Sequence, residues 1–163
     1  MDRQKQFVDR IVAELDAELK NLEKVRVELL VFEKKHEIVD SYMIRVLSSL
    51  IADFYSGVER ILKIVSEELD GGLPKSENWH KQLLTNSRIQ LGERPLVISD
   101  STYDALLPFL GFRHVFRSAY GFELDRERVQ TLGSKMPFVL EGFAKDIRKF
   151  CLWLAPKESQ SLC

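Results

Sequence analysis

Two long segments with helical periodicity limit this chain to a helical fold. In the first, from about Arg3 to Lys35, apolar side chains recur in alternating steps of four and three, which places them along one helix face. The seam is interrupted at Glu18 and consists of Ile11, Leu15, Leu22, Val25, Leu29 and Phe32. The pattern predicts the outer helix of a bundle, and a heptad-like seam of this kind also suits a dimer-forming coiled coil.

The second segment has the widest apolar face in the chain and is predicted to be the most buried helix. Asp40 or Ser41 can cap its beginning, and the apolar pattern continues to Leu69. The following residues, Asp70 to Pro74, contain two glycines and a proline. Glycine is favoured just after a helix and proline cannot continue one, so the helix is predicted to end there.

Three further helices are predicted in the rest of the chain. A shorter one begins at Ser76 and runs to about Leu91, and residues 96–98 are expected to form a packed loop. Residues 99–101 are all good helix caps and open the next helix, which contains Pro108. A proline inside a helix removes a hydrogen bond, so we expect a kink or two separate helices. The last helix is predicted from about Arg126 to Leu154.

Together these segments predict an all-α protein, an up-and-down four-helix bundle with one additional short helix. The length of 163 residues fits one domain, and 45% apolar residues are enough for a sizeable core without a disulfide or metal. We expect a single helical domain over residues 1–155 and a frayed C-terminal tail over residues 156–163.

The charge balance and the absence of apolar spans limit the classes of partner. The net charge is −1, so the chain lacks the overall positive charge of non-specific nucleic-acid binders, and any such contact requires a local basic patch. The N-terminal residues are too polar for a signal peptide, and no apolar run reaches the length of a membrane span. With two cysteines in no pairing pattern, we expect a soluble, cytoplasmic protein without a membrane partner.

The densest cluster of chemically active side chains lies in residues 111–121. On a helix, residues three, four and seven apart share a face, so Arg113, Arg117 and Tyr120 are predicted to form one polar stripe. His114 and Ser118 form a second stripe beside it. Guanidinium groups bind phosphate through paired hydrogen bonds, and imidazole and hydroxyl groups can act nearby, so the cluster suits a phosphate ligand.

Several common catalytic motifs are missing from the sequence. It has no glycine-rich phosphate loop, no Gly-x-Ser-x-Gly and no His-Glu-x-x-His. His36, His80 and His114 never share a helical turn, so we expect no metal site, and no cofactor is expected. His80, beside Trp79, is interpreted as a structural residue.

The cluster and its flanking segments carry a resemblance to a known family. The chain resembles the HEPN superfamily of small helical proteins, and it is most similar to the HepT-like ribonuclease toxins, which are encoded beside a minimal nucleotidyltransferase antitoxin. The resemblance covers most of the chain and implies a HEPN-like bundle. It rests on residues 53–60, Asp70 to Pro74, Trp79-His80 with Leu83-Leu84, Arg94-Pro95, Phe112-Arg113-His114, Arg117 and Tyr120 to Asp125.

The resemblance also implies a catalytic pattern, which this chain matches incompletely. The family pattern is an arginine, a spacer of about four residues, a histidine and, two residues later, a tyrosine. Here the arginine is Arg113 and the tyrosine is Tyr120, but the histidine position is Ser118. The implied reaction is metal-independent RNA cleavage, in which the ribose 2′-hydroxyl attacks the adjacent phosphate. Serine is a poor base near neutral pH, and His114, one helical turn earlier, is the substitute we expect.

The family implies partners as well as a substrate. Besides RNA, the implied partner is the nucleotidyltransferase antitoxin, which in some members adds AMP groups to the motif tyrosine, here Tyr120. A phosphate-linked group at that position would lie among Arg113 and Arg117. The fold class also implies a homodimer in which two motifs face one cleft, and this doubles the local basic patch.

Other interpretations of the same residues stay open. Arg113 and Arg117 can be surface arginines paired with nearby carboxylates, whereas Asp53 and Glu59 can serve a site by orienting an arginine from a neighbouring helix. Three functions are therefore considered. The first is a HepT-type ribonuclease toxin, whose activity is weakened if no other residue takes over the role of the histidine that Ser118 replaces. The second is a non-catalytic HEPN-like module that binds RNA, a nucleotide or a protein, and the third is a structural helical subunit.

Overall fold

The computed structural model describes residues 2–37 and 40–155, and the predicted all-α architecture is confirmed there. These residues contain no strand beyond one isolated bridge between Leu91 and Arg94. The predicted C-terminal tail, residues 156–163, lies outside the described residues. The five helices are α1 (Arg3–Lys35), α2 (Ser41–Leu69), α3 (Trp79–Ser87), α4 (Asp100–Ser118) and α5 (Arg126–Leu154), with a short 3₁₀ turn at Gly121–Glu123.

Side-chain caps fix where the four long helices begin. The carboxylates of Asp2, Asp40 and Asp125 accept hydrogen bonds from backbone N–H groups in the first turns of α1, α2 and α5, at 2.9–3.1 Å. The Ser99 hydroxyl does the same for α4, at 3.2 Å from the Thr102 nitrogen. Each cap satisfies a donor that the helix itself cannot pair, which explains why the predicted starts of these helices agree with the structure.

Helix α2 lies at the centre of the bundle and packs against each of the other four helices. Its fully buried side chains include Ile51, Phe54 and Ile61, and the Phe54 ring meets the Phe109 ring of α4 edge-on, with 5.1 Å between the ring centroids. In the seam of α1, Ile11, Leu15, Leu22 and Leu29 are buried, whereas Val25 and Phe32 are only partly covered. Leu19, next to the interruption at Glu18, is buried as well. The predicted burial of α2 is therefore confirmed.

Helix α3 is shorter than the sequence indicates. The Ser76 hydroxyl bonds to the Gln82 side chain instead of capping the helix, and α3 begins at Trp79. At the other end, the Ser87 carbonyl accepts hydrogen bonds from the backbone N–H groups of Val97 and Ile98 at 2.8 and 3.1 Å. These two residues are buried, so the connection packs as a loop, as predicted, and its hydrogen bonds end α3 early.

Pro108 does not split α4, so of the two expectations, a kink or two separate helices, the second is wrong. The helix runs unbroken from Asp100 to Ser118 with Pro108 inside it. Pro108 and Asp104, one turn earlier, are both exposed. Because both residues lie at the surface, water can supply the hydrogen-bond donor that Pro108 lacks.

No helix in the described part of the chain combines the length and the apolar character that a membrane span needs.

Candidate functional site

A groove of about 570 Å³ lies between the beginning of α3 and the C-terminal half of α4. Its walls carry three cationic side chains, Lys81, Arg113 and Arg117, and a single carboxylate, Glu77. His80 and His114 also line it, and Leu107 and Leu110 form its apolar part. The local charge is therefore positive in a protein whose overall charge is close to zero.

Arg113 forms the floor of this groove and is only 9% exposed. Its Nη2 lies 3.3 Å from Glu59 Oε1, and its Nε donates to the Ser56 hydroxyl at 3.3 Å. Ser56 and Glu59 are three residues apart on α2, so both project from one face of that helix. A buried arginine held in this way keeps a fixed orientation, and its Nη1 is directed toward His80.

Glu59 also holds His80, through a short contact of 2.7 Å between Glu59 Oε2 and His80 Nδ1. Arg113 Nη1 is 3.5 Å from the same nitrogen, but Nδ1 cannot donate to Glu59 and accept from Arg113 at once. The shorter contact to a carboxylate decides that the proton is on Nδ1. Among the described residues, His80 Nε2 then has no hydrogen-bond partner, and it is the nitrogen left for the groove.

Stacking on Trp79 fixes the plane of the His80 ring. The ring stacks on Trp79 with a centroid distance of 3.6 Å, and Lys63 Nζ lies 5.8 Å from the Trp79 ring centroid. The His80 side chain is 33% exposed, whereas that of Glu59 is 7% exposed. The imidazole therefore connects a buried carboxylate to the open groove.

Tyr55 lies next to this cluster in the core. Burial raises the pKa of its hydroxyl well above the ordinary value, and the negative charge of Glu59 raises it further. The Tyr55 hydroxyl therefore remains neutral, and Glu59 supplies the negative charge that pairs with Arg113.

His114 and Arg117 occupy the exposed wall of the groove, one turn apart on α4. Within the described residues, Arg117 makes no ion pair, so its guanidinium is available to an anion. Arg113 is instead paired with Glu59, one of the carboxylates considered as its partner from the sequence.

Ser118 and Tyr120 are not arranged as the predicted stripes require. Ser118 is the last residue of α4, lies outside the groove lining, and its hydroxyl donates to the His114 carbonyl at 3.0 Å. Tyr120 lies beyond the end of the helix, is 71% exposed, and stacks on Phe122. The predicted stripe of Arg113, Arg117 and Tyr120 is wrong for Tyr120, because α4 ends at Ser118, whereas Arg113 and Arg117 line the same groove.

Asp53 is not brought to Arg113, in contrast to Glu59. It is exposed and lines a separate groove between α1 and α2, together with Arg60. Asp53 and Glu59 are six positions apart, and at 3.6 residues per turn this places them about 120° apart around the helix. The two carboxylates therefore face different neighbours.

His80 is the site residue that the sequence interpretation missed. One signal was present: Glu59 is a carboxylate between Val58 and Ile61 on the most apolar helix. A buried carboxylate is stable only with hydrogen-bond donors or cations as partners, so its position predicts such a donor from another helix. The sequence nevertheless does not say which donors approach it.

The fold and the groove define a class of protein: a helical bundle in which a buried Arg–Glu–His cluster opens into a basic groove. Such a groove offers a guanidinium with fixed orientation, a second, exposed guanidinium and an imidazole with one free nitrogen, which suit a phosphate ester. Over the described residues, no group of three or more His, Cys, Asp or Glu is arranged to hold a metal ion.

A comparison with protein families matches residues 46–154 to the family described as HepT-like protein. The match begins within α2, ends at the last residue of α5 and includes every residue of the groove. The chain therefore belongs to the HepT-like family, as the resemblance in the sequence indicated. Searches of curated proteins and of solved structures found no match.

Proposed function

We propose that this protein is a metal-independent endoribonuclease of the HepT toxin type and that RNA binds in the groove between α3 and α4. The observation that carries the proposal is the arrangement around Arg113. Its guanidinium is fixed by Glu59 and Ser56 at the floor of a groove whose walls carry His114 and Arg117.

In the proposed reaction, the ribose 2′-hydroxyl attacks the adjacent phosphorus and the bond to the 5′ oxygen breaks. The pentacoordinate phosphorus carries extra negative charge, which Arg113 and Arg117 stabilise from the floor and the wall. A guanidinium that is already oriented before the reaction loses little entropy when the charge develops, so Arg113 is suited to this role.

The test is cleavage of a fluorescent single-stranded RNA by the purified protein in the presence of EDTA. We expect Arg113→Ala and Arg117→Ala to lower the rate by on the order of 10²–10³ and about tenfold, respectively, since only the first group is pre-oriented. Lys145→Ala, at an exposed site on α5 away from the groove, is the matched control and should cleave normally. Cleavage that persists in Arg113→Ala, or that requires a divalent cation, would contradict the proposal.

We also propose a minimal nucleotidyltransferase antitoxin as partner, with AMP added to Tyr120. The exposure of the Tyr120 side chain and its position just beyond α4 support this, because the hydroxyl is accessible to another protein. Co-expression with a minimal nucleotidyltransferase of the antitoxin type should increase the intact mass in AMP-sized steps, and Tyr120→Phe should remove the increase. Tyr42, which is 76% exposed, provides the matched control, since Tyr42→Phe should leave the modification unchanged.

A homodimer is part of the same proposal. Exposed apolar side chains near the end of α4, Val115 and Phe122, support an interface next to the groove. Light scattering should give twice the monomer mass, and Phe122→Asp should give the monomer. A wild-type protein that is monomeric at micromolar concentration would contradict this part.

Binding of RNA without cleavage is the second candidate, and Ser118 is the observation that favours it. Its hydroxyl is bonded to the backbone of its own helix, and the imidazole expected at that position is missing. Under this alternative the groove binds RNA through Arg113 and Arg117, and the wild-type protein shows RNA binding without product formation.

A further inference from the structure

The histidine that the family pattern expects is replaced in this chain, yet the groove contains an imidazole with a defined proton position. Glu59 accepts the Nδ1 proton of His80 at 2.7 Å, and Trp79 stacks on the ring. A neutral histidine with its proton on Nδ1 has a lone pair on Nε2, so His80 is prepared to accept a proton from the groove side.

We propose that His80 is the general base of this site and that Glu59 is the residue that positions it. The inference rests on the proposed function, because it assigns a step of the same RNA cleavage. His80 Nε2 takes the proton of the ribose 2′-hydroxyl while the 2′ oxygen forms its bond to phosphorus. The bond from phosphorus to the 5′ oxygen breaks, the 5′ oxygen takes a proton from solvent, and a 2′,3′-cyclic phosphate results. The imidazolium then returns its proton to water.

The position of Arg113 supports this assignment over a purely structural role for His80. Glu59 divides its two oxygens between the Arg113 guanidinium and the His80 imidazole, at 3.3 and 2.7 Å. The base and the group that stabilises the phosphate are therefore held by one carboxylate, with Arg113 Nη1 3.5 Å from His80 Nδ1. A phosphodiester bound to Arg113 is consequently brought next to the imidazole ring.

His114 lacks these features, although it lines the same groove. It is exposed, and within the described residues no hydrogen bond fixes either of its ring nitrogens, so neither its orientation nor its tautomer is set. An unfixed base loses much of the benefit of proximity, since a displacement of about 1 Å can cost on the order of 100-fold in rate. His114 is therefore the competing candidate, and the experiment has to distinguish its contribution from that of His80.

The first experiment compares RNA cleavage by the wild-type protein, His80→Ala and His114→Ala. We expect His80→Ala to lower kcat by on the order of 10²–10⁴, the usual contribution of a general base, with KM nearly unchanged. His114→Ala, which removes a side chain of the groove wall, should lower kcat by less than His80→Ala does, and Lys145→Ala, at its exposed site on α5, should cleave like the wild type. Added imidazole should restore part of the activity of His80→Ala, because the vacated space opens into the groove. A structural role for His80 predicts no rescue by imidazole.

The second experiment tests how Glu59 acts. Nitrogen NMR of the histidine ring in the wild-type protein should show the proton of His80 on Nδ1. In Glu59→Gln the fraction of this tautomer should fall, and kcat should fall with it. Circular dichroism and a thermal melt establish that the variant is folded. An unchanged tautomer in Glu59→Gln would show that Glu59 does not position the imidazole.

The results separate failure of this inference from failure of the proposed function. If the wild-type protein cleaves RNA and His80→Ala cleaves equally well, His80 is not the base, although the proposed function stands. If the wild-type protein is inactive and Ser118→His cleaves RNA, the base belongs at position 118, and the assignment to His80 is overturned. If neither protein cleaves any RNA tested, the proposed function itself is wrong.

Discussion

The buried ion pair between Arg94 and Asp70 gives the sharpest stability prediction. Arg94 Nε and Nη2 bind the two oxygens of Asp70 at 2.6 and 3.1 Å, and its side chain is only 4% exposed. The same guanidinium donates to the carbonyls of Ile89, Pro95 and Asn86, at 3.3, 2.7 and 3.3 Å. It thereby attaches the connection between α3 and α4 to the end of α2.

Replacing Arg94 by Met keeps most of the apolar contact and removes every one of these hydrogen bonds. Breaking a buried pair on one side typically costs about 3–5 kcal/mol, because the other charge remains without a partner. The Asp70 side chain is 13% exposed, so water recovers part of this loss. We therefore expect Arg94→Met to lower the free energy of unfolding by about 3 kcal/mol, the lower end of the range.

Urea unfolding followed by circular dichroism measures this change, and two comparisons test whether it comes from the buried ion pair. In the double variant Arg94→Met/Asp70→Asn no charge is left unpaired, so the loss should be smaller than the sum of the single losses by about 2 kcal/mol. The matched exposed pair is Lys20 with Asp16, at 2.9 Å, and Lys20→Met should change stability by less than about 0.5 kcal/mol. A loss below about 1 kcal/mol for Arg94→Met, or strictly additive losses, would refute the reasoning.

Three further predictions concern the packing of the helices and one titrating group. Burial raises the pKa of Glu33 above its ordinary value of 4.5, so its contribution to stability is present at lower pH and is lost as the pH rises through the folded-state pKa. Glu33→Gln should therefore match the wild type below that ordinary value and be more stable at neutral pH by no more than about 0.5 kcal/mol, as measured by thermal melts across pH. A Cβ on Gly57 would collide with the Leu22 side chain. Although alanine favours a helix more than glycine does, Gly57→Ala should lower the free energy of unfolding, measured in urea, by a net of about 1 kcal/mol. Combining it with Leu22→Val should reduce that loss, because the shorter side chain makes room for the Cβ. Pro108→Ala should raise the free energy of unfolding by about 1 kcal/mol, since it restores a backbone donor within α4; equal or lower stability would mean that Pro108 is favourable where it stands.

The sequence was sufficient to predict the long helices because their signals are local. Apolar periodicity and a polar cap at Asp40 define the beginning of α2, and the double glycine after Asp70 defines its end. The extent of α3 was overestimated because its ends depend on contacts that the local sequence does not contain. Its last turn is closed by the backbone of Val97 and Ile98, ten and eleven positions after Ser87.

The site was only partly predictable, for a similar reason. The sequence pointed to Arg113 and Glu59 as candidate site residues. It did not show that they meet His80, because Glu59 and His80 are 21 positions apart and His80 and Arg113 are 33 positions apart. Their meeting depends on how α2, α3 and α4 pack, which periodicity alone does not fix. Asp53 and Glu59 were equivalent candidates from the sequence, and only the neighbour that each helix face meets distinguishes them.

The energetics of the Glu59 cluster support the proposed function, because the gain in stability does not account for its composition. Glu59 occupies the most apolar helix, and a buried ion pair there gains little over well-packed apolar side chains, because desolvation offsets most of the attraction. Stability alone would therefore be served as well by apolar residues at Glu59, His80 and Arg113. The three polar groups nevertheless pair with one another and leave one imidazole nitrogen and one guanidinium edge facing an open groove. Packing of the fold does not require these two groups to face solvent, whereas the proposed phosphate-ester site requires both.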